Sequence, residues 1–557
     1  MKFFVFILFL LHVLLAQLPE TSYPVTAIDP KNMRDYPGGR GEHQLIVYTS
    51  AYGKPTTGTN QWGIEATVKD SIVIKVGGNN SPIHTGEYIL SGHGRARIFL
   101  TNNVRIGSKI LLMDSMVTVT FDLESFKIYT GMRQKELKQK YEKIRSYLSN
   151  DELSALGKII DTLNVIRGDA AVGVNVVVDS ALYEQGMRLL DEVEYRITTS
   201  PAIEGRGVWH RPKEKTRGEI TSLMKKYSDA GFNMMFVETI WNGETIYPGF
   251  IARQKTEFTG FDPLRVFIDE GRKYGIDVHA WIHTFFIGVA STANDSASHF
   301  LLQQHPDWQL IKRNGEKISK AEPGYIFLNP ALPAVQEYAA SLYKEVRTLY
   351  PDIAGLQMDY IRYPINVPLE ESSDYSEYSR AEFKKISGVD PMEINPSDYP
   401  DHWVQWQKWR EEVITDFVKK IRWENPEVLL SADIFPDIEE ATKAKLQDWR
   451  EWANRGYVNV LVPMAYSTNA DWVGETLIKV RAIVGDQHPL YAGIAPYLQL
   501  TPLNLLQQIE KCREVNMQGI ILFASHNLSD EQLRLLAIGP FRTKAHPPQL
   551  IHKSQKP

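Results

Sequence analysis

The stretch from Gly355 to Pro364, GLQMDYIRYP, decides the fold class of this chain of 557 residues. It starts as a short apolar run, which predicts a buried strand over residues 355–361, and Asp359 stands near the end of that run. Similar runs recur on both sides and alternate with stretches of helical periodicity, the pattern of βα units around a parallel sheet. The predicted strands span residues 203–209, 232–240, 277–283, 355–361, 428–434, 459–465, 490–494 and 519–524.

Eight such units predict an α/β fold, a (β/α)8 barrel over residues 201–540. No glycine pattern for nucleotide binding follows the first strand, so a closed barrel is favoured over an open doubly wound sheet. Two long insertions, residues 284–328 and 364–402, follow the third and fourth strands on the side where such barrels build their active sites. The clearest predicted helices span residues 215–230, 264–274, 334–349, 409–425 and 503–515.

Two further regions precede the barrel. Residues 40–125 contain short β-type runs separated by Gly, Asn and Pro clusters, which predicts a small β-rich accessory domain. Residues 126–200 are charged, with apolar positions at helical spacing, and predict a helical connector. Beyond the barrel, residues 541–557 are interpreted as a flexible tail. The strands predicted in the β-rich domain span residues 45–49, 71–76, 87–90 and 116–121.

The first residues have the character of a targeting segment. Lys2 provides a positive charge, an apolar run follows over residues 3–15, and Ala16 suits a cleavage site. The run of about 13 residues is short for a membrane helix, which needs roughly 20. We therefore expect residues 1–17 to be a signal peptide and the protein to be secreted or periplasmic. The alternative is that the leader is not cleaved, in which case the protein would contact the membrane through the leader only. The single cysteine, Cys512, fits an exported bacterial protein without an internal disulfide.

The composition narrows the class of function. Hydrophobic residues make up 43% of the chain and charged residues 23%, as in a soluble globular protein. A net charge of −5 and the lack of basic runs argue against nucleic-acid binding. Nothing in the sequence indicates a nucleotide cofactor or a metal, because His279 and His283 would stand about 13 Å apart on a strand, too far to share one ion. The oligomeric state is left open.

Three acids at strand ends, Glu238, Asp359 and Asp433, are the candidate catalytic groups. Side chains just past the C-terminal ends of barrel strands point into the active-site mouth. Cleavage of a glycosidic bond needs one carboxylic acid to protonate the departing oxygen and one carboxylate to act as nucleophile or to activate water. Asp359 is the leading candidate for the carboxylate, because an adjacent guanidinium from Arg362 would keep it ionised. The proton donor is either Glu238 or Asp433.

Residues near the same strand ends are the predicted substrate contacts. We expect His283 to form a hydrogen bond with the substrate, whereas His279 packs inside the barrel. Trp241, Trp281 and Tyr466 would stack on sugar rings, and burial in the barrel is the alternative interpretation for each of them. The full set of predicted substrate contacts is Arg362, His283, Trp241, Trp281, Tyr466 and Asn242.

Six motifs follow one another in order along the barrel. They are EGRGVW at 204–209, FVET at 236–239 with Tyr247-Pro248, LNP at 328–330, DYIRYP at 359–364, PMAY at 463–466 and GIILF at 519–523. Together they resemble the glycosyl hydrolase-like family 10 domain over residues 202–525. The resemblance implies a (β/α)8 fold, glycosidase activity on a bacterial polysaccharide, and Asp359 as the leading catalytic carboxylate. Some relatives act on peptidoglycan glycan strands, which makes cell-wall glycan the expected substrate.

The chain departs from many relatives at the other two acids. Glu238 stands where many relatives have Gln, and Asp433 lies in SADIFP where many have a Ser-Pro-Phe-Gly type of strand end. The roles of these two acids therefore rest on geometry alone. In the β-rich region, residues 88–94, YILSGHG, resemble part of phosphodiester glycosidase domains, and glycan binding is the expected role of that region. A barrel that binds glycan without cutting it, and a lyase or lytic transglycosylase on the same glycans, are the alternative functions.

Overall fold

The computed structural model describes residues 21–31, 43–60, 62–169, 180–290, 299–322 and 324–548. The predicted signal peptide, residues 1–17, lies outside these ranges, as do residues 549–557 of the predicted tail. Within the described ranges, no helix is both long and apolar enough to span a membrane.

The N-terminal region folds as one sheet of eight strands with a helix packed on it. The strands are β1 (Thr21–Pro24), β2 (Ala27–Ile28), β3 (Leu45–Thr49), β4 (Ile64–Lys69), β5 (Ile72–Val76), β6 (Glu87–Gly92), β7 (Lys109–Met113) and β8 (Met116–Thr120), and the helix is α1 (Arg95–Asn103). Their order across the sheet is β1-β8-β7-β5-β4-β6-β3-β2. Val47, Leu90 and Val117 meet Leu100 of α1 in a small separate core. The predicted β-rich region is therefore present. Among its described residues it has six strands, β3 to β8, where the sequence indicated four, and β1 and β2 lie before its predicted start.

The described residues of the connector form three α-helices, α2 (Leu123–Ile144), α3 (Asn150–Asp169) and α4 (Ser180–Arg196). Their apolar faces form a core of their own, which includes Leu137, Leu156 and Leu190. The connector is also tied to the barrel, because the Tyr195 hydroxyl donates to the Pro502 carbonyl at 2.7 Å. It thus packs on the outer surface of the barrel.

Eight parallel strands form the predicted barrel. They are β9 (Gly205–His210), β10 (Met234–Trp241), β12 (Asp277–His283), β15 (Gly355–Asp359), β16 (Leu429–Ile434), β17 (Val460–Pro463), β18 (Tyr491–Ile494) and β19 (Gly519–Leu522). The order of neighbours is β17-β16-β15-β12-β10-β9-β19-β18. Parallel bridges Leu461–Leu490 and Met464–Gly493 connect β17 to β18 and close the ring. The short strands β11 (Glu244–Thr245), β13 (Phe286–Val289) and β14 (Tyr325–Phe327) lie in the loops above it.

Helices surround this barrel and bury its outer face. Residues of both layers, such as Val237 of β10 and Leu264 at the start of the second barrel helix, belong to one large core between the strands and the helices. Alternate strand residues point inward, where Trp209, Phe236 and Trp281 fill the interior. The helices are α5 (Arg217–Asp229), α6 (Pro263–Tyr274), α7 (Phe300–Gln304), α8 (Pro333–Leu349), α9 (Glu377–Ser387), α10 (Pro400–Glu424), α11 (Ile438–Lys445), α12 (Trp449–Asn454), α13 (Ala470–Val484), α14 (Pro502–Glu514) and α15 (Asp530–Ile538).

The fourth barrel strand ends two residues before its predicted end. Tyr360 has φ +48°, in the left-handed region that non-glycine residues seldom adopt, so the chain leaves the sheet directly after Asp359. The same turn brings the backbone N–H of Tyr360 to 2.7 Å from the Asp359 side chain. The departure from the predicted strand is therefore what positions the acid.

The start of the predicted tail is packed rather than free, which corrects the sequence interpretation for residues 541–548. Phe541 is buried, and the buried guanidinium of Arg206 donates to the carbonyl oxygens of Phe541 and Thr543 at 3.0 and 2.8 Å. A guanidinium without solvent needs such acceptors. Since Arg206 lies at the beginning of β9, this segment covers the N-terminal end of the barrel.

Candidate active site

The three predicted acids and His283 converge at the C-terminal end of the barrel. Glu238 lies on β10, His283 ends β12, Asp359 ends β15 and Asp433 lies on β16. The register places His283 directly opposite Asp359. Residues near the ends of four neighbouring strands thus meet at the floor of the mouth.

Asp359 is held by two N–H donors. The indole Nε1 of Trp281 donates to Oδ2 at 2.9 Å, and the backbone N–H of Tyr360 donates to Oδ1 at 2.7 Å. Burial raises the pKa of the Asp359 carboxyl, while these two hydrogen bonds act in the opposite direction by stabilising the anion. The side chain is 15% exposed, so the carboxylate remains reachable from the mouth.

Glu238 is nearly enclosed but is contacted from the solvent side. Its Oε1 accepts a hydrogen bond from Nε of Arg211 at 3.0 Å, and the Arg211 side chain is 40% exposed. Burial raises the pKa of the Glu238 carboxyl, the positive charges of Arg211 and Lys255 lower it, and the negative charge of Asp359 raises it further. The proton affinity of Glu238 is therefore set by the groups around the mouth.

His283 lies between the two acids. Its Nε2 is 3.5 Å from Oε1 of Glu238 and 3.6 Å from Oδ2 of Asp359. Burial, together with the charges of Arg211 and Lys255, holds the pKa of the imidazole well below its usual value, so the ring is neutral near pH 7. The His283 side chain is almost completely buried, and neither ring nitrogen has a hydrogen-bond partner among the described residues. Its predicted contact with substrate stays a prediction.

Asp433 is the most isolated of the three acids. It is buried, and its Oδ1 has no hydrogen-bond partner among the residues that the structure describes. Burial and the nearby charge of Asp359 raise the pKa of the Asp433 carboxyl well above its usual range. These surroundings therefore favour the protonated form of the side chain.

Arg362 does not form the ion pair with Asp359 that the sequence suggested. Its guanidinium instead forms two hydrogen bonds with Glu322, at 2.6 and 3.1 Å, and both side chains are buried. Glu322 also accepts from the backbone N–H of Ile365 at 2.8 Å. Arg362 therefore holds the loop after β15 in place, and it reaches Asp359 only through its electric field, which lowers the pKa of that carboxyl.

The predicted aromatic contacts divide into buried and open side chains. Trp281 is 1% exposed, so burial inside the barrel, the alternative interpretation, describes it. Tyr466 is half-buried at the mouth, where its ring lies 5.8 Å from the rings of both Tyr497 and Phe523. Trp241 is also half-buried, with the Lys255 ammonium 4.6 Å from its ring centroid.

The other predicted residues are placed as follows. Asn242 follows β10 in a left-handed conformation with φ +54°, and its carbonyl oxygen is 3.0 Å from Nε2 of His299. His279 packs inside the barrel, stacked on Phe236 at 4.6 Å, and burial lowers the pKa of its imidazole to about 4. In the described ranges, no three His, Cys, Asp or Glu side chains are grouped so as to hold a metal ion.

The sequence reasoning missed Arg211, Lys255 and Tyr497. Arg211 directly follows β9, so the strand-end rule that found the acids could also have found it. Tyr497 follows the seventh barrel strand in the same way. Lys255 carries no such signal, because it lies in an irregular segment after β11 and reaches Glu238 only in three dimensions.

Residues 204–488 match the profile of a family described as glycosyl hydrolase-like 10. Glycosyl hydrolase YngK of Bacillus subtilis (strain 168) is 22% identical over 321 residues, which cover 51% of this chain and 56% of YngK. Glycosyl hydrolase DigH of Escherichia coli (strain K12) is 27% identical over 172 residues, which cover 27% of this chain and 36% of DigH. The chain thus spans about half the length of the first relative and about a third of the second.

Among solved structures, the catalytic domain of the beta-amylase from Paenibacillus polymyxa superimposes with a TM-score of 0.45 and 12% identity, covering 63% of this chain and 100% of that domain. The family profile itself covers half of the present chain and spans the strand ends that carry Glu238, Asp359 and Asp433. This chain belongs to the glycosyl hydrolase-like 10 family.

Proposed function

We propose that this protein is an exported glycoside hydrolase that cleaves a glycosidic bond of a bacterial polysaccharide with two carboxyl groups, Asp359 and Glu238. The observation that supports this most is their placement at the barrel mouth, each within 3.6 Å of the same nitrogen, Nε2 of His283. A pair of acids at the C-terminal ends of barrel strands is what glycosidic cleavage requires. Membership of the glycosyl hydrolase-like 10 family supports the same reaction.

The separation of the two acids suits this chemistry. Because His283 Nε2 is 3.5 Å from Glu238 Oε1 and 3.6 Å from Asp359 Oδ2, these two oxygens are no more than about 7 Å apart. Glycosidases that retain the anomeric configuration hold their carboxyl groups about 5 Å apart, and inverting enzymes hold them roughly 6.5–9.5 Å apart. Whether the first product retains or inverts the anomeric configuration of the substrate therefore shows which of the two mechanisms the pair of acids uses.

The surroundings of the acids favour different roles. Asp359 accepts two N–H hydrogen bonds, which stabilise its anion, and we assign it the role of nucleophile or base. Glu238 is buried next to that anion, which favours its protonated form, and we assign it the role of proton donor to the leaving oxygen. Asp433 is the other candidate donor, because its surroundings also favour its protonated form.

The aromatic side chains and the leader extend the proposal to substrate and location. Tyr466, Tyr497 and Phe523 present a group of rings beside the acids, and such rings suit the apolar faces of sugars. Residues 1–17 have the character of a signal peptide, which supports export to the compartment where cell-wall glycan is found. Peptidoglycan glycan strands are therefore the first substrate that we propose to test.

The test compares purified wild-type protein with its Asp359→Asn variant on a panel of bacterial glycans that includes peptidoglycan strands freed of stem peptides. New reducing ends are followed by mass spectrometry. We expect products from the wild type and at least a hundredfold lower rate from Asp359→Asn, since a carboxylate in this role contributes roughly a hundredfold or more.

Asp437→Asn is the matched control. Asp437 is an exposed acid three residues beyond strand β16, where its side chain caps helix α11 by accepting from the Glu440 N–H at 2.9 Å, a role that Asn also fills. Its turnover should equal that of the wild type. Retained turnover in Asp359→Asn would contradict the assignment. Binding to one glycan without any products would favour a binding protein, and anhydro or unsaturated ends would favour a lyase or lytic transglycosylase.

A further inference from the structure

The N-terminal domain touches the barrel beside the mouth. The hydroxyl of Thr468, two residues after Tyr466, donates to the carbonyl of Gly63 at 3.2 Å. The amide of Asn469 packs against Gly78, where an added β-carbon would lie 3.6 Å from Nδ2. The loop before β4 and the turn after β5 are therefore seated on the loop that follows the sixth barrel strand.

A cationic side chain of the N-terminal domain lies near the same edge. Arg97 is on α1, close enough to Tyr497 of the barrel for its positive charge to lower the pKa of that hydroxyl, which burial raises. The ring of Tyr497 packs edge-on against Phe523 at 5.8 Å, and the guanidinium of Arg211 lies 5.4 Å from the Phe523 ring centroid. Since Arg211 binds Glu238, a row of barrel side chains runs from Tyr497, near Arg97, to the candidate proton donor.

An open aromatic side chain lies next to this contact. Trp62 directly precedes Gly63 and is 49% exposed, while its backbone N–H is fixed by the side chain of Asn60 at 3.1 Å. The backbone at Trp62 is thus held on both sides, by the hydrogen bond from its own N–H to Asn60 and by the hydrogen bond from Thr468 to the Gly63 carbonyl. A half-exposed indole in a fixed loop offers a flat apolar surface, the kind of surface on which a sugar ring packs.

We propose that the N-terminal domain forms a second wall of the glycan site, in which Trp62 packs on a sugar ring and Arg97 forms hydrogen bonds with sugar hydroxyl or carboxylate groups. The ligand is a long glycan strand whose outer units pass over this wall while an inner bond lies at Asp359 and Glu238. This inference rests on the proposed function, and it goes further by giving the N-terminal domain a role in selecting long strands over short oligosaccharides.

The test measures how strand length affects catalysis in the full chain. Peptidoglycan strands freed of stem peptides are sorted by length, and kcat/KM is measured on a long and a short fraction. The ratio of the two values should fall about tenfold in Trp62→Ala, as expected for the loss of one aromatic contact worth about 1.4 kcal/mol. Arg97→Gln should lower the same ratio by a smaller factor.

Trp423→Ala is the matched control, because Trp423 is 63% exposed on α10 at the outside of the barrel. Its ratio should equal that of the wild type, and thermal unfolding checks that each variant is folded. Binding of the same fractions to Asp359→Asn is measured in parallel, with and without the Trp62→Ala change.

Each result decides the inference. A lower ratio in Trp62→Ala but not in Trp423→Ala supports it. An unchanged ratio in both Trp62→Ala and Arg97→Gln overturns it and leaves the proposed function in place. If the wild type cleaves no strand and Asp359→Asn binds none, both the proposed function on this glycan and the inference built on it are overturned.

Discussion

The N-terminal domain and the barrel mouth both bury carboxyl groups, and they surround them differently. Glu65 of β4 is buried, and each of its oxygens is satisfied. Oε1 accepts from the hydroxyls of Thr57 and Thr59 at 2.6 and 2.5 Å, and Oε2 accepts from the Ser81 backbone N–H at 2.9 Å. At the mouth, Asp433 is just as buried, yet its Oδ1 has no partner among the described residues.

This difference separates Glu65, whose oxygens all accept hydrogen bonds, from Asp433, whose Oδ1 accepts none, while Asp359 at the same mouth accepts one hydrogen bond on each oxygen. A buried acid with a complete set of donors fixes the turns that supply those donors, and Glu65 holds together the loops on either side of Trp62. A buried acid without them costs folding free energy and has a shifted proton affinity, which is what acid–base chemistry uses. Substitutions in the two regions should therefore have different effects on turnover and on stability.

Glu238→Gln should reduce turnover by about a hundredfold to ten-thousandfold, the usual contribution of a proton donor. Gln keeps an oxygen acceptor for Arg211, so the fold should survive. Activity should return on an aryl glycoside of the cleaved sugar with a nitrophenol leaving group, because that group departs without a proton. If Asp433→Asn shows this pattern and Glu238→Gln does not, the proton donor is Asp433.

Glu65→Gln should instead lower the free energy of unfolding by about 1–3 kcal/mol while kcat of the folded protein stays at the wild-type value. The amide supplies one acceptor oxygen where the carboxylate supplies two, so at least one of the donors from Thr57, Thr59 and Ser81 loses its partner. Denaturant unfolding and initial rates measure the two effects. A large loss of kcat without loss of stability would contradict the distinction between the two regions.

Asp433→Asn should stabilise the protein relative to the wild type, and this stabilisation should increase as the pH rises. The folded protein keeps the Asp433 proton at a pH where the unfolded chain has lost it, because burial raises the pKa of this carboxyl. The stability that the protonated acid contributes is complete below the unfolded pKa of about 4 and is lost as the pH rises toward the folded pKa. Asn cannot ionise, so the gain in melting temperature over wild type should grow between pH 5 and pH 8.

The exposed acid Asp437 provides the comparison for this measurement. Asp437→Asn should change the melting temperature by the same small amount at both pH values. A gain in Asp433→Asn that does not depend on pH would show that Asp433 ionises as easily in the folded protein as in the unfolded chain.

Arg211→Gln should have the smallest effect among these variants, a modest shift of the pH profile of kcat/KM. Removing this positive charge raises the pKa of Glu238, which it contacts, and that of Asp359 to a smaller extent. The protonated donor then persists to higher pH, so the alkaline limb should move upward, and the acidic limb should follow by less. A shift of either limb to lower pH would contradict the assigned roles.

The barrel could be predicted because its strands are buried on both faces and appear as continuous apolar runs. The strand-end rule then found Glu238, Asp359 and Asp433 without any contact information. In the N-terminal sheet, strand β4, IEATVK, was missed although its apolar and polar residues alternate as in a half-buried strand; unlike such a strand, it buries both faces, Glu65 included. Whether an inward-facing Glu is accommodated depends on donors from distant turns, which no local pattern reveals.

The contacts between side chains were predicted less well than their positions. Arg362 was expected to pair with Asp359, its neighbour in sequence, but it pairs with Glu322, which lies 40 residues earlier in the insertion after β12. For Trp281 the sequence left open whether the ring stacks on sugar or is buried in the barrel; the ring is buried, and its indole N–H holds Asp359. Such choices depend on packing between loops that are far apart in the sequence.

The most direct test of a hydrolase at this mouth is cleavage in water labelled with heavy oxygen, with mass spectrometry of the products from the active glycan. The proposed role of Asp359 and Glu238 predicts one labelled oxygen at each new reducing end from the wild type and from Asp437→Asn, and almost no product from Asp359→Asn. Unlabelled products from the wild type would contradict this role. So would as much labelled product from Asp359→Asn as from the wild type.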